Sequence, residues 1–120
     1  MSVQTPDELV AKKCKPCEGG VDPYTHEESV EQLEKLDGWY LTHDGQRIRK
    51  EWTTKHFVAA MDFFNKVADI AEEDGHHPDL HLQQYRKASI ALWTHAIGGL
   101  RENDFMLEAK IDEVPVELKS

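Results

Sequence analysis

The sequence predicts an α+β fold in two layers: an antiparallel four-stranded sheet with helices packed on one face, in the order α-β-β-α-β-β-α. The apolar residues switch between a three-to-four period and an alternating period along the chain, and glycines or turn residues stand at each switch. The length of 120 residues, 39% hydrophobic and 31% charged, fits one domain with one modest core. A core of that size supports only a shallow or shared pocket, which favours an oligomer that extends it.

Residues 1–24 read as an N-terminal extension and residues 25–120 as the folded domain. Within the extension, Thr5 and Pro6 suit an N-cap and first position for a short helical turn through Glu8, Leu9 and Val10. From Thr25, the run H-E-E-S-V-E-Q-L-E-K-L sets Val30, Leu33 and Leu36 on one face, with acids in the first turn. Gly38 ends that helix. Trp39 to Leu41 and Gln46 to Trp52, around Asp44 and Gly45, then make a hairpin.

Thr53 or Thr54 is placed to cap a long helix, whose stripe of Phe57, Met61, Phe64, Val67, Ala68 and Ala71 runs to Gly75. Leu80 to Tyr85 alternates as a strand, and Lys87 to Thr94 as another, with Ala88, Ile90 and Leu92 on one face. Gly98 and Gly99 break the pattern. Asn103 or Asp104 then opens a closing helix with Phe105, Leu107, Ala109 and Ile111, up to Pro115. The sheet's second face needs a cover or stays polar.

Net charge is -9, with 14 basic residues scattered among 23 acidic ones. Phosphate contacts need clustered Lys and Arg, so nucleic acid and anionic membrane surfaces are not expected partners. The apolar runs are too short for a signal peptide core or a spanning helix, so a cytoplasmic protein is expected. Cys14 and Cys17 stand in a C-K-P-C stretch. The spacing suits a redox pair, half of a zinc site that recruits His26 or a second chain, or a local clip in a tail. No strand precedes it, as a thioredoxin-type motif requires, which favours a non-catalytic role.

His76, His77 and His95 carry the most chemistry, with Glu72 one helical turn before the histidine pair. Imidazole moves protons near neutral pH, and the ends of elements are where catalytic groups are displayed. The same residues also suit a solvated turn at His76-His77 and a satisfied core histidine at His95. Neighbouring histidines in extended chain point to opposite sides, so His76, His77, Asp79 and His81 do not form a recognisable metal pattern.

The run from Glu72 to Asp104 reads Glu72, three residues, His76-His77-Pro78, six residues, Tyr85, nine residues, His95, eight residues, Asp104. That pattern resembles the signature of the pterin-4a-carbinolamine dehydratase family. Gly38-Trp39 before the hairpin, Lys55 and Phe57 at the long helix, and Thr94-His95 before Gly99-Leu100 extend the resemblance over about residues 25–113. Two departures stand out. Six residues, D-L-H-L-Q-Q, follow His-His-Pro where the family more often has five, which bears on strand register, and Arg101 stands where a capping Ser or Thr is common.

The resemblance implies a hydro-lyase, 4a-hydroxytetrahydrobiopterin dehydratase, serving pterin recycling and tetrahydrobiopterin biosynthesis. It implies His76 and His95 as general acid/base groups, His77 as the residue that binds and orients the pterin, and Glu72, Trp39 and Asp104 as residues that shape and polarise the pocket. For Trp39, stacking on the flat ring and a place in the hairpin core both fit its position. No metal or organic cofactor is implied; a small-molecule pterin substrate and a homodimer or homotetramer are. The alternative is a binding or assembly protein, since related folds serve as a dimerisation cofactor of a homeodomain transcription factor and as Rubisco assembly factors.

Overall fold

The computed structural model of the protein describes residues 8–9, 25–34, 38–42, 45–94, 99–100 and 102–119. Thr25 starts the first helix, α1 (His26–Leu33), with a reciprocal cap. Its hydroxyl accepts from the Glu28 N–H at 3.1 Å, and the Glu28 carboxylate accepts from the Thr25 N–H at 2.9 Å. That backbone N–H holds the Glu28 carboxyl below its usual range. The expected stripe is turned: Ser29 and Gln32 are buried, Val30 is exposed, Leu33 is partly buried against the core, and Leu36 lies outside the described residues.

Strands β1 (Tyr40–Thr42) and β2 (Arg47–Thr53) form the first hairpin, with Leu41 opposite Ile48. Gly45 sits in its turn at φ 83°, and a Cβ there would stand 2.8 Å from His26 Nδ1, so both conformation and space call for glycine.

The long helix, α2 (Phe57–Asp74), is capped by His56, whose Nδ1 accepts from the Ala59 N–H at 3.1 Å. Neither expected threonine caps it, because β2 stays paired with its neighbour through Thr53, and the buried Thr54 hydroxyl faces the carbonyls of His56 and Arg86. The inward face is also rotated from the expected one. Ala59, Ala60, Phe63, Val67 and Ala71 are buried, while Phe57 is 50% and Met61 39% exposed, Phe64 is only partly buried and Ala68 is exposed. The small side chains let the helix lie close on its neighbours, and the larger ones are left on its flank.

Strands β3 (Asp79–Gln83) and β4 (Lys87–Leu92) pair without a break from Asp79 opposite Ala91 to Gln83 opposite Lys87. The strand expected to reach Tyr85 ends at Gln83. Gln84 and Tyr85 both take positive φ, 49° and 56°, in the turn that follows. The β3–β4 register is regular throughout, up to the turn at Gln84 and Tyr85.

All neighbouring strands are antiparallel, in the order β1-β2-β4-β3. One sheet face carries Ile48, Ala88, Ile90 and Leu92 into the core with Trp52 packed against them. The other face is polar: Arg47 lies 4.1 Å over the Trp93 ring, and Arg49 Nη2 donates to Ser89 Oγ at 3.0 Å. The last helix, α3 (Glu102–Asp112), is buried continuously from Asn103 to Ala109. It begins ahead of Asn103 and Asp104, so neither is its cap, and Arg101 lies outside the described residues. After it, the backbone of Glu117 and Lys119 bonds to Lys55 and Thr53 and extends the end of β2. No helix among the described residues is long and apolar enough to cross a membrane.

The core joins Trp39, Phe63, Val67, Ile90, Phe105, Leu107 and Ile111, and it takes in Leu9 from the first 24 residues. Leu9 is fully buried. Leu9→Ala is expected to lower unfolding stability by roughly 2 to 5 kcal/mol in chemical denaturation; a change within about 0.5 kcal/mol would mean that Leu9 fills no core volume.

Glu108 is a buried exception on α3, with both oxygens closed off from solvent beside the Asp112 carboxyl. Burial, and after it the adjacent Asp112 carboxyl, pushes its pKa up to about 10, so the group is neutral at pH 7. The folded protein keeps this proton where the unfolded chain, with a carboxyl near 4.5, releases it. Stability from this group is therefore complete below pH 4.5 and falls as pH rises toward 10, by at most about 1.4 kcal/mol per pH unit. Glu108→Met, similar in volume and unable to ionise, is expected to be more stable than wild type at pH 7, with the gain widening toward pH 9. A gain that does not grow with pH contradicts a neutral Glu108.

Candidate active site

Gly75 ends α2 in the left-handed conformation at φ 64°. Its N–H and that of His76 both return to the Ala71 carbonyl, which turns the chain sharply before His76. His76 is thereby directed inward, and its side chain is only 5% exposed. Its Nε2 stands 2.7 Å from Asp104 Oδ1 in the first turn of α3. The other oxygen, Oδ2, accepts from Thr94 Oγ1 at 2.7 Å. Asp104 and Thr94 are fully buried, so three elements meet on one carboxylate away from water.

This arrangement has chemical consequences. A carboxylate at Nε2 places the neutral imidazole's proton on that nitrogen and leaves Nδ1 as the acceptor. It also offsets positive charge when the ring takes up a second proton, as a histidine that cycles between the two states requires. Asp104 also lies in the first turn of α3, where the helix dipole favours negative charge.

His77 turns the opposite way, as neighbouring histidines in extended chain do. Its Nε2 lies 3.3 Å from Glu72 Oε1, with the two side chains 62% and 79% exposed. So open a pair contributes about 0 to 1 kcal/mol, but it is free to meet a ligand. Trp39 belongs to a third group. Its indole N–H donates to both Asp112 oxygens at 3.1 Å, Lys50 Nζ meets the same carboxylate at 3.1 Å, and its ring stands edge-on to Trp52. Trp39 is thus a core aromatic at the far end of α3 from Asp104.

The structure therefore joins His76 with Asp104, joins His77 with Glu72, and sets Trp39 apart. His95, Cys14 and Cys17 lie outside the described residues. Among the described residues, no three His, Cys, Asp or Glu side chains converge as metal ligands. Thr94 is a participant to which the sequence reading gave no site role. The alternation through Ala88, Ile90 and Leu92 continues to Thr94 on the inward face, and a hydroxyl there calls for a buried partner.

The sequence profile of the family described as Pterin 4 alpha carbinolamine dehydratase matches residues 22–114. A mitochondrial pterin-4-alpha-carbinolamine dehydratase 2 from Arabidopsis thaliana is 47% identical over 113 residues; the match covers 92% of this chain but 60% of the plant protein's length. A putative pterin-4-alpha-carbinolamine dehydratase from Nitrosospira multiformis is 48% identical, with 90% of this chain and 93% of the relative covered. The crystal structure of a transcriptional coactivator/pterin dehydratase from Brucella melitensis superposes with a TM-score of 0.70 at 30% identity, covering 76% of this chain and 96% of that one. A pterin dehydratase-like protein identified as a RuBisCO assembly factor in the alpha-carboxysome shares the fold, with a TM-score of 0.54 at 18% identity over 64% of this chain and 88% of that one. With the profile spanning most of the chain and relatives at this identity, the protein belongs to the pterin-4a-carbinolamine dehydratase family, a family of hydro-lyases.

Proposed function

We propose that this protein dehydrates 4a-hydroxytetrahydropterins, using His76 and His95 as acid and base. In this reaction the C4a–O bond breaks, water leaves, and a ring N–H gives up its proton as a carbon–nitrogen double bond forms. The leaving oxygen needs a proton and the ring nitrogen must lose one, so two imidazoles suffice in principle. The observation that carries the reading is the buried bridge from Thr94 through Asp104 to His76, because it gives one histidine a defined tautomer and a counter-charge. His95 follows Thr94 directly in the chain, which supports it as the second proton carrier.

The exposed pair of His77 and Glu72 suits binding and orienting the polar pterin at the mouth of the site. Asp104, being fully buried, polarises the site through His76. Proton transfer by these groups needs no cofactor. A role in partner binding or assembly is the second reading, and the exposed Phe57, Val58 and Met61 on α2 favour a surface that meets protein. We take the occupant to be further copies of this chain, with β1 and β3, the outer strands of the sheet among the described residues, suited to sheet joining.

Dehydration of freshly generated 4a-hydroxytetrahydropterin is expected to run well above the uncatalysed background with wild type. His76→Ala and His95→Ala are each expected to lose about a hundredfold or more in kcat, with folding unchanged by circular dichroism. A wild type no faster than background contradicts the enzymatic reading. For the assembly, Met61→Glu is expected to yield a smaller species than wild type in sedimentation velocity; identical masses would remove α2 from the interface.

A further inference from the structure

We infer that Thr94 is a positioning residue for the dehydration proposed above, acting through Asp104 on His76. The inference rests on that reading for its effect on turnover, and on the hydrogen bonds alone for its effect on the histidine. A carboxylate held through one oxygen can still rotate about its Cβ–Cγ bond. Asp104 is held through both: Oδ1 by His76 Nε2 at 2.7 Å and Oδ2 by Thr94 Oγ1 at 2.7 Å. Both contacts are buried, where water cannot take over the role of a missing donor. The Thr94 hydroxyl thus sets the plane of the carboxylate, and the carboxylate sets the imidazole.

The Thr94 backbone is secured separately. Its N–H donates to the Gly99 carbonyl at 2.8 Å, and the Gly99 N–H returns to the Thr94 carbonyl at 3.4 Å. The side-chain hydroxyl is therefore not what fixes the chain at this point, and its removal acts on Asp104 first. Thr94 has no exposed surface, so it does not touch a substrate, and its loss falls on turnover rather than binding.

Thr94→Val keeps the shape and deletes the donor, while Thr94→Ser keeps the donor; if valine is not accommodated, Thr94→Ala removes the same hydroxyl. We expect Thr94→Val to lower kcat by about ten- to a hundredfold with KM within about twofold of wild type, and Thr94→Ser to restore most of the rate. The ring-nitrogen signals of His76, followed by NMR, are expected to move in Thr94→Val and to stay near wild type in Thr94→Ser. That readout needs no catalysis, so an inactive wild type would sink the dehydration reading while the NMR comparison still decides on Thr94. Unchanged His76 signals in both Val and Ala variants, or a Ser variant as impaired as the Val variant, would overturn the inference.

Discussion

A buried carboxyl group is tolerated only when its oxygens are satisfied, and Asp104 makes that demand at the meeting point of three elements. Its partners come from the turn after α2 and from the residue just beyond β4, while Asp104 itself stands in the first turn of α3. A shift of either segment would cost the carboxylate one of these hydrogen bonds. The left-handed Gly75, the inward alternation of β4 and the early start of α3 all serve that single constraint. The same hydrogen bond orients His76, so the requirements of folding and of the proposed proton transfer coincide on one side chain.

Helix α3 carries three carboxyls at four-residue intervals, in three different environments. Asp104 is bridged by neutral and imidazole donors, Glu108 is buried beside Asp112 and pushed up to about 10 by burial, and Asp112 is matched with Lys50 and the Trp39 indole. Identical chemistry along one helix face thus gives a histidine's buried partner, a neutral core residue and an ion pair. Only the first has the geometry of a group that acts on a histidine. Glu108 carries the cost of its position as a stability that declines with pH.

Much of this was legible in the sequence. The element order followed from changes of apolar period at glycines, and the signature spacing linked His76 with Asp104 across 28 residues. The rotation of α2 was not legible. A helix with Ala59, Ala60 and Ala71 on one side and Phe57, Met61 and Phe64 on another offers two apolar faces, and the neighbouring elements choose the one that packs closest. The caps were misjudged for a related reason: threonine outranks histidine as an N-cap by propensity, yet Thr53 is committed to β2 and Thr54 to two carbonyls. Thr94 stood in the resemblance without a role of its own, and its burial beside Asp104 discloses its use. Trp39 fitted two roles by position, and its indole bond to Asp112 ties it to the core.

The most direct test of the account is the dehydration rate of Asp104→Asn. The amide is nearly the same size, but it places a neutral and partly donating group opposite His76 Nε2, so the imidazole loses both its counter-charge and its preferred tautomer. The account predicts a folded protein whose turnover drops by on the order of a hundredfold or more. An Asp104→Asn variant that turns over at the wild-type rate would show that the buried carboxylate supports the fold alone.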